Sequence, residues 1–187
     1  MANRRHVTAT PMSAAQNPIA CNTGQQVPYL HANGMLAQSL PTTGQDLMNL
    51  TSVVAFAEAL DRDDFDAAIR FVSDDCVYES PSGRIVGAAA IMDSYARNAA
   101  WARETFDRLE FKSHVEMRSP TEALIEYTDI TEHKGVGHTY KCQQIVEIDG
   151  GGMICKITHH EVSGQAEALN AFFEKVGVKR PSKPDQR

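Results

Sequence analysis

The chain has 187 residues, 42% of them hydrophobic and 7% aromatic, with 18 Lys and Arg against 24 Asp and Glu and a formal net charge of −6, a size and balance that suit one globular domain. The charge is unevenly spread: residues 1–45 contain no Asp, Glu or Lys and only Arg4 and Arg5, so residues 46–187 hold 16 basic and 24 acidic side chains and sit at −8. An acidic body without a Lys/Arg cluster argues against a nucleic-acid surface, and no run approaches the roughly 18–20 consecutive apolar residues of a membrane-spanning helix.

Residues 1–45 are interrupted by Pro11, Pro18, Gly24 and Pro28 and lack a secretory apolar core, so they are expected to form a disordered leader; an organelle transit peptide is the minority alternative. The four cysteines (Cys21, Cys76, Cys142, Cys155) have no metal-site spacing, and three of them fall in apolar strand patterns where Cys behaves as a small buried hydrophobe. A reduced, cytoplasmic setting is expected. A Cys142–Cys155 disulfide between neighbouring strands is opposed only by the absence of a secretion signal.

From Asp46 the pattern becomes regular. Val53, Phe56, Ala57 and Leu60 recur at helical spacing up to the polar break Asp61-Arg62-Asp63-Asp64. Phe65, Ala68, Ile69 and Val72 mark a second short helix, with Asp63 or Asp64 as N-cap and Ser73-Asp74-Asp75 closing it. Residues 76–80 read as a strand, turned at Pro81-Ser82-Gly83 and answered by residues 84–86. Gly87 opens a third helix, whose Ile91, Tyr95, Ala99 and Ala102 form a buried stripe with Arg97 and Arg103 outside.

The second half reads as sheet. In residues 109–118, Leu109, Phe111, Ser113, Val115 and Met117 alternate with charged and polar residues, which predicts one buried and one wet face. Residues 123–131 form the next strand in one of two registers: Ile125, Tyr127 and Asp129 inward, or Leu124, Glu126, Thr128 and Ile130 inward. A third strand places Tyr140, Cys142, Gln144, Val146 and Ile148 on one side, the glycines 150–152 make a hairpin turn, and residues 153–162 return. A short helix over 166–176 precedes a disordered tail. The expected organisation is thus a leader (1–45), a domain (46–176) and a tail (177–187). Helices followed by hairpin-linked strands indicate an α+β domain whose sheet curls around the helices.

The stretch "LDRDDFDAAIRFVSDDCVYESPSG", the Gly87-initiated helix and the long strands ending in "ITHHEV" resemble the SnoaL-like, ketosteroid isomerase-like branch of the nuclear transport factor 2-like superfamily, over roughly residues 48–164. That resemblance implies a cone-shaped, curved antiparallel sheet wrapped around N-terminal helices (a cystatin-like, nuclear transport factor 2-like fold), an apolar pocket, no cofactor or metal, and a homodimer formed through the outer sheet face. The ketosteroid isomerase groups do not carry over. Its base falls at Ser80, its oxyanion-hole tyrosine at Phe56 and its protonated aspartate near Gln144, and none of these can do the same job. The epoxide hydrolase pattern is matched in part: Tyr78 and Asp129 stand as in the family, while Ser80 replaces an Asn, Tyr127 an Arg and His159 a second Asp.

The resemblance therefore points to Asp129 and His159 as a proton-transfer pair, with Tyr78 orienting the substrate and Phe56, Ser80, Tyr127 and Gln144 contacting it. The chemistry implied is a cofactor-free lyase, isomerase or hydrolase reaction on a small hydrophobic oxygenated molecule. The alternative is a module of the same fold that binds a small ligand or dimerises without catalysis. His133 and His138 lack a third ligand and read as surface histidines.

Overall fold

The computed structural model describes residues 43–179; the leader and tail expected from composition lie almost entirely outside them. The first helix, α1 (Gly44–Asp61), begins at Thr43, whose side chain accepts the Asp46 N–H while the Asp46 carboxylate accepts the Thr43 N–H, a reciprocal cap that satisfies two otherwise unpaired donors. Val53, Phe56, Ala57 and Leu60 form its buried stripe. The second helix, α2 (Phe65–Ala68), is a single turn capped by Asp64 and continues as a 3-10 turn over Ile69–Phe71.

The strands are β1 (Val72–Ser80), β2 (Gly83–Val86), β3 (Arg108–Ser119), β4 (Glu122–His133), β5 (Val136–Ile148) and β6 (Ile154–Glu161); α3 (Ala88–Thr105) follows β2 and α4 (Gln165–Val176) follows β6. β1 starts four residues earlier than its sequence pattern indicates. Val72 pairs with Ile154 of β6, and a register shift before Val77 absorbs the polar Ser73-Asp74-Asp75, so a tertiary pairing overrides a local helix-closing signal.

The expectation of a cone-shaped, curved antiparallel sheet wrapped around N-terminal helices is corrected in three respects. The six strands form one open sheet in the order β2-β1-β6-β5-β4-β3, neither closed nor strongly curved. β1 and β6 run parallel, so the sheet is mixed. The covering helices come from both ends of the domain, since Leu169, Phe172, Phe173 and Val176 of α4 enter the same core as α1 and α3. The physical reason lies in the strand faces. The side carrying Lys112, His114, Glu126, Lys141 and Gln143 is polar, so one apolar face has to be covered and closure is not required.

On that face β4 presents Ala123, Ile125, Tyr127, Asp129 and Thr131 as buried residues, while Glu126 is exposed and Thr128 and Ile130 are only half-buried. The first of the two registers is therefore the one adopted. Cys142 lies opposite Glu161, whereas the Cys155 thiol donates to the Glu147 carbonyl, five residues further along β5, so the two thiols are too far apart for a disulfide; Cys76, Cys142 and Cys155 are in no disulfide. Among the described residues, no helix is long and apolar enough to cross a membrane.

Candidate active site

α1 ends and β4 passes at the same place. Asp61, the last residue of α1, closes the polar break read in the sequence, but it also stands one turn beyond Ala57 and so continues the buried stripe. Its Oδ2 accepts both the backbone N–H of Ser113 (2.9 Å) and the Ser113 hydroxyl (2.7 Å) from β3. Its Oδ1 is buried without a hydrogen-bond partner. Burial pushes the Asp61 carboxyl above the ordinary aspartate range, Ser113 pulls it back, and nearby Glu58 raises it further. Its place at a helix C-terminus, where the backbone dipole repels negative charge, works in the same direction as burial.

Asp129 approaches from β4 with 2% of its surface exposed. It is paired across the sheet with Phe111 and Tyr140, and its Oδ2 is buried without a partner. Burial first, and then the Asp61 charge, push its carboxyl up to about 8. Asp129 is therefore mostly protonated at neutral pH. Asp61, Asp63 and Asp129 line one cavity of about 20 Å³ together with Leu60, Phe65, Tyr95, Phe111 and Tyr127, enough for a single water. The Tyr127 hydroxyl is buried without a partner, as is Asp63 Oδ1.

The other sequence-derived residues spread along the same sheet face. Tyr95, reaching in from α3, donates its hydroxyl to Gln144 Oε1 at 3.1 Å, and Gln144 is wholly buried with His159 opposite it on β6. Tyr78 packs edge-on against Tyr95 and tilted against His159, with ring centroids 6.0 and 6.5 Å apart. Burial holds the His159 imidazole down at about 4, with His160 adding to the effect, so the ring is neutral at pH 7.

Asp129 and His159 are not brought together. Asp129 faces Tyr140 and His159 faces Gln144, four residues apart on β5, or roughly 13 Å along the strand, and His159 does not line the cavity. Phe56 is core and also lies off the cavity. The Ser80 hydroxyl is held within the β1–β2 turn by Ser82 Oγ (2.8 Å) and the Gly83 carbonyl (3.2 Å).

Sequence reasoning passed over Asp61 and Tyr95. Asp61 sits in a run of four charged residues that looks like a solvated helix end; the signal that marks it is its i+4 relation to Ala57. The helical spacing puts Tyr95 in the apolar stripe of α3, where its ring does lie, but its hydroxyl meets a polar partner 49 residues away. His133 and His138 pack against the aromatic cluster beneath α4 instead of lying on the surface, through Phe106 and Phe172 respectively.

Comparison with known proteins adds the following. No curated protein matches the chain. Among solved structures, a Xanthomonas campestris pv. campestris protein provisionally named a polyketide cyclase is 18% identical, with a TM-score of 0.54 over 71% of this chain and 99% of its own. An epoxide hydrolase of the LEH-like type from M. tuberculosis is 22% identical, with a TM-score of 0.53 over 72% and 94%. Bal32a, from a soil-derived mobile gene cassette, is 16% identical, with a TM-score of 0.54 over 71% and 99%. At these identities the likeness is one of fold. The SnoaL-like domain model matches residues 53–160, more than half of the sequence and nearly all of the sheet, and the chain accordingly belongs to the SnoaL-like domain family within the nuclear transport factor 2-like superfamily.

Proposed function

We propose that this chain is a cofactor-free acid–base enzyme that adds water to, or hydrolyses, a small uncharged oxygenated molecule, with Asp129 as general acid and Asp61 as general base. The observation that carries the reading is the pair of buried, unpartnered carboxylate oxygens, Asp61 Oδ1 and Asp129 Oδ2, on one water-sized cavity. Two carboxyl groups sharing a dry site cannot both ionise near neutral pH, so their proton affinities are driven apart. The two Ser113 donors favour the ionised form at Asp61, while Asp129 keeps the proton.

In the reaction, water held by Asp61 attacks carbon and forms the new C–O bond as Asp61 takes its proton. Asp129 gives its proton to the oxygen whose bond to carbon, or π bond, breaks. The two carboxyl groups have then exchanged protonation states, and proton exchange with solvent restores them. Tyr127 is placed to donate to the substrate oxygen. Asp61 takes the partner role that the family resemblance implies for His159, because it lines the same cavity as Asp129. His159, Tyr78 and Gln144 support the far wall of the site through Tyr95. The homodimer through the outer sheet face remains part of this proposal, with half-buried Ile145 as the apolar residue on that face.

The test is incubation with a panel of small neutral epoxides, lactones and enones in water enriched in the heavy oxygen isotope, read by mass spectrometry. Incorporation that falls at least about a hundredfold in Asp129→Asn and in Asp61→Asn is the expected result. The same small size of the cavity favours a second reading, a non-catalytic module with a buried water. Absence of turnover across the panel, with no ligand retained in native mass spectrometry, would establish that reading instead.

A further inference from the structure

Arg103 is unused by the reaction above. It lies in the last turn of α3, on the side that the helical pattern turns to solvent, yet its guanidinium is held from three directions. Nε donates to Asp63 Oδ2 at 2.8 Å, a second nitrogen donates to the Leu109 carbonyl at 2.7 Å, and the group lies 5.1 Å from the centroid of the Phe111 ring. Asp63 belongs to the α1–α2 turn and Phe111 to β3, and both line the cavity that contains Asp61 and Asp129. Arg103 is thus a strap between two sides of the rim.

At about 20 Å³ the cavity admits one water and no organic molecule, so the rim has to part for a substrate to enter. The α1–α2 turn forms one side of that rim. Asp63 holds a φ of 58° as the left-handed residue that closes α1, its N–H donating to the Leu60 carbonyl and the Asp64 N–H to the Ala59 carbonyl, so the backbone of the turn is held independently of the Asp63 side chain. The side chains of its ion pair with Arg103 are 42% and 27% exposed, which keeps that bond weak. The Asp64 cap on α2 is a separate contact, so α2 need not unravel when Asp63 is released.

We propose that Arg103 controls access to the carboxylate cavity: its bonds to Asp63 and Leu109 and its contact with Phe111 hold the α1–α2 turn against β3, and release of Asp63 admits molecules larger than water. This inference rests on reading the Asp61/Asp129 cavity as the site. The apparent dissociation constant for any substrate is the intrinsic one divided by the fraction of molecules that are open, so weakening the strap lowers KM while the groups that set kcat stay in place.

The experiment reads access without needing turnover. The full chain is treated with a water-soluble carbodiimide and glycinamide at about pH 6, a pH at which carboxyl groups with raised proton affinity are labelled in the protonated form, and the labelled carboxyls are located by peptide mass spectrometry. Asp129 should label about tenfold faster in Arg103→Gln than in the parent, as expected for losing one half-exposed ion pair and one cation–π contact, and about threefold faster in Asp63→Asn, which loses the ion pair alone. Arg103→Lys, which keeps the charge but not the planar fork, should fall between. Asp46, buried at the other end of α1, should label at the parental rate in all of them.

Equal labelling of Asp129 in parent and Arg103→Gln, including no labelling in either, overturns the proposal. So does acceleration at Asp46 to the same degree, since that reports general loosening. A chain in which the strap opens as described but no substrate is turned over would refute the enzyme and leave the strap, and the reverse result would do the opposite.

Discussion

Asp129 and His159 are two nearly buried ionisable residues on the same sheet face, and the structure treats them in opposite ways. Both are driven to their neutral forms by loss of water, which raises an acid and lowers a base. Asp129 ends near 8 and His159 near 4. The difference lies in what surrounds them. Asp129 has a second carboxyl group, a tyrosine hydroxyl and a cavity before it, whereas His159 has Gln144 across the sheet and the Tyr78 ring beside it. Burial alone therefore does not mark a reactive group. Burial with space and a group able to exchange the proton does.

The most severe way to break this comparison is to remove each proton carrier in turn. Asp129→Asn is expected to lower turnover by about 10²–10⁴-fold, the usual worth of a positioned general acid, while His159→Gln lowers it less than about tenfold. Steady-state kinetics on the first substrate identified would check both, and equal losses would return the catalytic role to His159.

A smaller effect is expected on stability as a function of pH, where the two groups pull in opposite directions. Asp129 has a folded-state proton affinity above its unfolded value, so its contribution is present below about pH 4 and is lost as the pH rises towards 8. His159 has a folded value below its unfolded one, so its contribution is present above about 6.5 and is lost as the pH falls towards 4. Between about pH 6.5 and 8 only Asp129 acts, and the parent should lose stability relative to Asp129→Asn across that window. Urea titrations of parent, Asp129→Asn and His159→Gln sharpen the point. A parent and Asp129→Asn that keep a constant difference from pH 6.5 to 8 would show that Asp129 is not protonated in the fold.

The smallest expected effects come from the polar supports. Tyr95→Phe leaves Gln144 Oε1 buried without its donor and should cost about 1–3 kcal/mol. Ser113→Ala removes the hydroxyl from Asp61 but leaves the backbone N–H, and should cost about 1 kcal/mol while shifting the acid limb of the activity profile to higher pH, because the ionised form of Asp61 loses a donor. Thermal unfolding and a pH–rate profile separate the two. An unmoved acid limb in Ser113→Ala would exclude Asp61 as the base.

The sequence by itself determined the elements whose pattern is local. The stripe Val53, Phe56, Ala57, Leu60, the alternation of β3 and β5 and the glycine-rich turn at 150–152 all survive in the structure, because side-chain periodicity on a helix or strand depends only on backbone geometry. It also marked Gln144 as a polar group on an apolar face and carried the family resemblance, and that resemblance, not the alternation, singled out Asp129 and Tyr127. Tertiary structure decided the rest. The parallel pairing of β1 with β6 gave β1 four more residues than its composition suggests, and a polar outer face left the sheet open. Asp61 became a half-buried carboxyl with a buried oxygen only because Ser113, 52 residues away, supplies its hydrogen bonds, and His159 was separated from Asp129 by a register that no local pattern encodes. Which acid faces which is a matter of cross-strand register and helix placement, and those are set by the packing of the whole core.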